Sequence, residues 1–317
     1  MTFLLRCLGV SLAFSFLFYC AFSIAVARGW RVVARAARRL PARRMADLLF
    51  LLRVLPLAAS LLICATFVVP SFLLLEPRAS SETMGDIPLA LAVGCAFLFA
   101  AGAYNAWMAY VRTTATVATW LEGATELPGL GSVRIYEIRP DVPALTLTGV
   151  CSPKVLVSGS AAAMLVPEEL DAALKHEIAH VRRRDNLKKL LFRVCIFPGM
   201  SALESSWSGA EEMAADDEAV TCTSEALDLA AALIKLSRLS ATHPTAALTT
   251  ALVQGELASV NARIERLVIW DPSRQRHFES AAGWYLRSAI AGSFLAVLVT
   301  YGLAIREMHT LTELLVR

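Results

Sequence analysis

Charge is scarce in this sequence. Charged residues make up 18% of its 317 positions against 56% for hydrophobic ones, which points away from an ordinary soluble domain and toward a membrane protein. Paired cysteines are missing as well. The seven cysteines include no C-x-x-C pair and no disulfide-like spacing, as expected in a reducing compartment, so no cysteine motif offers a metal or redox site. A net charge of +3 is too small to imply a direct nucleic-acid partner. No repeat or low-complexity tract stands out. Histidine is rare too, with five in all, yet two of those stand four residues apart.

Long apolar runs are abundant instead. Four of them, residues 7–27, 54–75, 87–111 and 288–305, carry no charge. Each reaches the ~18 residues at which a membrane-spanning helix becomes the default reading, the last being the shortest. Pro56 and Pro70 fall inside the second run, where a spanning helix tolerates them if neighbouring groups satisfy the freed carbonyls. The first run ends in Ala25-Val26-Ala27, which looks like a signal-cleavage site. Its apolar core, however, exceeds the ~7–15 residues of a signal and an arginine-rich segment follows, so an uncleaved anchor is expected. Arg28, Arg31, Arg35, Arg38, Arg39, Arg43 and Arg44 in the 28–46 loop belong in the cytoplasm by the positive-inside rule. The segment from Glu76 to Asp86, with one Arg against two Glu and one Asp, belongs outside.

The expected organisation is therefore three N-terminal transmembrane helices within residues 1–111, a cytoplasmic domain over 112–283, and a fourth transmembrane helix with a short outer tail over 284–317. The N-terminus lies outside the cell membrane. In the polar domain, 132–138 and 154–158 are β-branched runs that read as strands. Pro140, Pro143, Gly149 and Pro153 punctuate the loops between them. Pro167 opens a helix with Glu168 and Glu169 in its first turn, and the helical pattern runs on until Pro198-Gly199. Further helices are expected over 201–220, 225–239 and 259–270, so a small sheet is followed by several helices.

The helix from Pro167 carries His-Glu-Ile-Ala-His. His176 and His180 lie one turn apart, so both imidazoles can reach one ion, and Glu177 can lean toward a water on it. This is the H-E-x-x-H arrangement of zinc peptidases, and with this composition it arises by chance at roughly 0.005 per chain. A catalytic zinc takes a third protein ligand. Glu212, on a separate predicted helix, is the candidate, and Asp216 on the same face can accept from the far nitrogen of a histidine. The competing reading of that segment is an acidic solvated face made by Glu211, Glu212, Asp216, Asp217 and Glu218.

These residues resemble the membrane zinc metallopeptidases of the BlaR/MecR type, the antirepressor and signal-transducer peptidases. The resemblance spans nearly the whole chain. It includes Gly149-Val150-Cys151-Ser152-Pro153, the zinc helix with Arg183 and Asp185 after it, Phe197-Pro198, Glu212-Met213-Ala214-Ala215-Asp216, and the NARIERL stretch from Asn261 to Leu267. It implies a mainly α membrane protein of four transmembrane helices with a cytoplasmic α+β gluzincin-like domain. It also implies one Zn2+ per chain held by His176, His180 and Glu212, Glu177 as general base, and Asp216 and Asp185 behind the ligands. Partners implied are a protein substrate such as a cytoplasmic repressor and the lipid bilayer; a homodimer is compatible with this reading. The chain departs from the family at Ala215, where Cys is frequent, and at Glu211, where Arg is frequent. Arg306 to Arg317 follow the last apolar run, so the expectation is a short member of the family without the penicillin-binding sensor domain.

Lesser features have plainer readings. The strand at 154–158 could offer an edge to a substrate. The basic stripe of Arg182, Arg183, Arg184, Lys188, Lys189 and Arg193 reads as the solvated face of an amphipathic helix. His243, His277 and His309 read as structural or incidental, and Trp207 as core. Two rival functions stand beside the regulatory peptidase: an HtpX-like quality-control peptidase of the membrane, and a non-catalytic zinc-binding transducer.

Overall fold

The computed structural model describes residues 3–77, 84–130, 133–139, 144–239, 248–252, 257–271 and 301–314. Three helical rods in it are long and apolar enough to cross a membrane. The first is α1 (Phe3–Ala36). The second is α2 (Ala42–Ile63), which passes through a π-helical stretch, Cys64–Val68, into α3 (Val69–Leu75), and the third is α4 (Asp86–Trp120). All three outrun the apolar segments that mark them. The arginine-rich 28–46 stretch is helix apart from a turn at 37–41. Arginine is a good helix former, so the helix does not stop where apolarity does.

The widened turn in the second rod has a cause in Pro70. A proline ring removes an N–H and crowds the carbonyl four residues back, here that of Thr66. The Tyr301 hydroxyl donates to that carbonyl at 2.9 Å, which satisfies it inside the bundle. Residues 301–314 are helical. Of the fourth apolar run, residues 288–300 lie outside the described residues, and residues 301–305 belong to this helix.

The polar part holds a mixed five-stranded sheet of order β1-β2-β4-β3-β5: β1 (Thr125–Leu130), β2 (Val133–Ile138), β3 (Leu145–Thr148), β4 (Lys154–Ser158) and β5 (Thr249–Ala251). β2 and β4 run parallel, and the other pairings are antiparallel. Around it lie α5 (Gly159–Met164), α6 (Pro167–Arg183), α7 (Asp185–Val194), α8 (Ser201–Ala219), α9 (Thr223–Leu239) and α10 (Leu257–Val268). Val155 and Val157 of β4 pack into the same core as Ala172 and Ala173 of α6 and Leu229, Leu233 and Leu236 of α9. Leu156, pointing the other way, packs with Val117 and Trp120 at the end of α4. β4 is thus interior and hydrogen-bonded on both sides, which corrects the expectation that it offers an edge to substrate. The edges among the described residues are β1 and β5, and no sequence pattern announced β5.

α7 and α8 rest directly on the long apolar rods. Val26, Trp30, Ala46 and Leu49 share a core with Phe192, Met200, Leu203 and Trp207. Arg53 Nε pairs with Glu204 at 2.8 Å, and its Nη2 donates to the Cys195 carbonyl. Tyr19 donates to the Ile196 carbonyl at 2.7 Å. At Gly102 of α4 a Cβ would stand 2.4 Å from the Val194 carbonyl oxygen, so only glycine allows this approach.

Candidate metal centre

The pattern after Pro167 reads as one helix reaching Pro198-Gly199, but the structure divides it. Arg184 adopts a left-handed conformation, φ 54°, between α6 and α7. Such a conformation costs a non-glycine residue about 1–2 kcal/mol. The break turns Asp185 under the end of α6, where its Oδ2 lies 2.8 Å from His180 Nδ1 and its Oδ1 accepts from Lys188 at 2.9 Å. The next residue is tied in as well: Asn186 donates to the Gly149 carbonyl at 3.1 Å. Gly149 has φ 91° and no room for a Cβ, which would meet the Ser152 carbonyl oxygen at 2.4 Å.

α6 starts where its sequence says. Pro167 occupies the first turn and Glu169 Oε2 accepts from the Val166 amide at 3.0 Å. One turn from its end, His176, Glu177 and His180 face inward and are buried, while Arg182 stays exposed. His176 Nε2 and His180 Nε2 stand 3.1 Å apart. From α8, Glu212 brings Oε2 to 3.5 Å from the first and Oε1 to 3.7 Å from the second. Donors holding one zinc at ~2.0–2.1 Å in tetrahedral array lie about 3.3–3.5 Å from one another, so these three residues fit such an ion.

The far nitrogens are engaged. Asp216 Oδ1 lies 2.9 Å from His176 Nδ1, as Asp185 lies against His180. With each Nδ1 turned to a carboxylate, the two Nε2 atoms and Glu212 converge on one space, and both Glu212 oxygens are buried without a hydrogen bond. A positive charge among them, a proton or a metal ion, would satisfy these atoms. Before any ion binds, burial works against charging His176, yet Asp216 and Glu212 outweigh it and hold its pKa up at about 9. Burial pulls His180 down instead. Glu177 is fully buried, with Oε1 free of hydrogen bonds and Oε2 accepting from Thr250 of β5 at 3.4 Å. Burial pushes it up to about 8, against the pull of His176.

The structure therefore brings together all six residues singled out in the sequence: His176, Glu177, His180, Glu212, Asp216 and Asp185. It also adds four. Arg263 of α10 donates to Asp216 through Nε at 2.8 Å and Nη2 at 2.7 Å, and its Nη1 lies 2.9 Å from Glu212 Oε2. Burial opposes ionisation of Glu212, but Arg263 and the imidazoles prevail and bring it to about 2; Asp216 is held below the usual carboxylate range by the same guanidinium. The NARIERL stretch had signalled Arg263 without a role. Thr250, Lys189 and Glu211 had no such signal. Lys189, which reads as part of a solvated stripe, turns inward to donate to the Thr249 carbonyl at 3.1 Å and to stand 3.3 Å from Glu211. Glu211 is completely buried, which lifts it to about 8 despite Lys189. The acidic segment of α8 is accordingly no solvated face: Glu211, Glu212 and Asp216 are interior, and Asp217 pairs with Arg266.

Of the other histidines, His243 and His277 lie outside the described residues, and His309 lies on the helix over 301–314. No protein-family model and no curated protein matches this chain. What stands is a membrane-protein architecture with a buried His/Glu group able to hold a metal ion.

Proposed function

We propose that this chain is an integral-membrane zinc endopeptidase of the BlaR/MecR type, cleaving a cytoplasmic regulatory protein such as a repressor, or itself. The observation that carries the reading is the convergence of His176, His180 and Glu212 beside a buried Glu177 whose Oε1 has no hydrogen-bond partner among the described residues. A purely structural site has no use for an uncommitted carboxyl there, which speaks against a non-catalytic transducer.

Zinc bound by those three residues would supply Lewis-acid activation of a water and of a peptide carbonyl. Glu177, as carboxylate, would take a proton from the attacking water and return it to the leaving amine; burial makes that carboxylate more basic than a solvated one, and the charge of a bound zinc would favour its ionised form. Asp216 and Asp185 hold the imidazoles in the tautomer that turns Nε2 inward. β5, at the sheet edge beside Glu177, offers main-chain groups to an extended substrate. In the proposed orientation the arginine-rich ends of α1 and α2 mark the cytoplasmic side, with the site just beneath the bilayer.

The test compares zinc content and proteolysis of the full chain. Glu177→Gln is expected to keep its zinc and lose at least about a thousandfold in activity, whereas His176→Ala and Glu212→Ala lose both. A fully active Glu177→Gln chain would sink the peptidase reading.

A further inference from the structure

The opposite end of the bundle carries a second group of metal-binding side chains. Glu76 follows the last residue of α3, and His309 and Glu313 lie one turn apart on the helix over 301–314. One ligand atom from each of the three lies within 4.8 Å of the others. Independent contacts seat this helix: the Tyr301 hydroxyl on the Thr66 carbonyl, the Phe67 and Tyr301 rings at 5.6 Å, and buried Ile305 and Thr312. Glu76 is buried beside Arg6 at 2.7 Å, and His309 Nδ1 is buried without a hydrogen bond. The Glu76 and Glu313 carboxyls are close enough to share a hydrogen bond, with the first buried and the second half-buried, next to an imidazole nitrogen with a lone pair to give.

We propose that Glu76, His309 and Glu313 form a second divalent-metal site, taking a first-row transition ion such as zinc. One imidazole with two carboxylates suits those ions, where calcium or magnesium would favour an all-oxygen set. The bound ion clamps the helix over 301–314 onto the end of α3. The second rod is 34 residues long, and at 1.5 Å per residue that places this site about 50 Å from the start of α2. It is therefore separate from the centre on α6, and it faces outward in the orientation proposed above.

The experiment loads the purified full-length chain with zinc in detergent, removes loose ions by gel filtration, and counts zinc per chain. The wild type is expected to retain about two ions, His176→Ala/His180→Ala about one, His309→Ala/Glu313→Gln about one, and the combined variant none. Helix content by circular dichroism checks folding, and His309→Gln alone repeats the measurement with a milder change. If His176→Ala/His180→Ala retains no zinc while the wild type retains one, the outer site is refuted and the catalytic centre stands. Zinc that persists in the combined variant also refutes it. If instead His309→Ala/Glu313→Gln retains none, the outer site stands and the catalytic reading fails.

Discussion

The Asp216–Arg263 pair sets the most demanding test of this structure. Both side chains are 1% exposed and meet through two hydrogen bonds of 2.7 and 2.8 Å. At a charge separation of about 4 Å and an effective dielectric of about 20, such a pair is worth about 4 kcal/mol. Removing one partner of a buried pair costs about 3–5 kcal/mol, because the other is left charged and dry. Asp216→Ala should therefore destabilise the chain by about 3–5 kcal/mol, and Arg263→Met by a similar amount, since buried Asp216 and Glu212 then lose their guanidinium and keep only His176 between them. The double variant removes the stranded charge and should cost at least about 2 kcal/mol less than the sum. Zinc affinity supplies a second readout. Asp216→Ala leaves His176 unsteered and Arg263 with Glu212 alone, so affinity should fall about 10–100-fold, with partial recovery on adding Arg263→Met. The assays are unfolding in detergent with chelator present and competition against a chromogenic chelator. Single-variant costs that add within about 0.5 kcal/mol would refute the coupling.

Three further outcomes follow from the geometry. Zinc must displace the proton on His176, whose pKa stands at about 9, so affinity should rise with pH by about tenfold per unit from pH 7 and level off near 9; a flat profile over that range would contradict the assignment. Arg184→Gly should stabilise the chain by about 0.5–1 kcal/mol, because glycine accepts the left-handed conformation and the exposed arginine side chain makes no hydrogen bond or ion pair among the described residues; a loss of stability would show that the conformation is not the one described. Gly102→Ala places a Cβ against the Val194 carbonyl, so it should cost about 1–3 kcal/mol and lower zinc affinity through α7, measured by the same chelator competition; wild-type behaviour would mean that α4 does not seat α7 this closely.

Much of this protein was legible from one dimension because the signals are local. The three N-terminal rods announce themselves by apolar length, since a bilayer selects for it regardless of what packs alongside. His176, Glu177 and His180 announce themselves by helical spacing, and Glu212 and Asp216 repeat that spacing on another helix. The basic segment 28–46 was not legible as helix, because helix continuation past the apolar core leaves no mark in hydropathy.

Tertiary structure decided the rest, wherever the partner is distant in sequence. No pattern says that Arg263 reaches Asp216 and Glu212, that Lys189 leaves a solvated-looking stripe for Glu211 and β5, or that Glu211 is buried. Nor does one say that β4 lies inside its sheet, which leaves β5 as the edge beside Glu177. The turn at Arg184 is the clearest instance. Local propensity favours an unbroken helix there, and only the bond between Asp185 and His180 makes the left-handed residue worth its cost. Composition and spacing determined which side chains can bind a metal in a membrane protein; long-range electrostatics, which exist only once α6, α8 and α10 meet, decided how those side chains are held and charged.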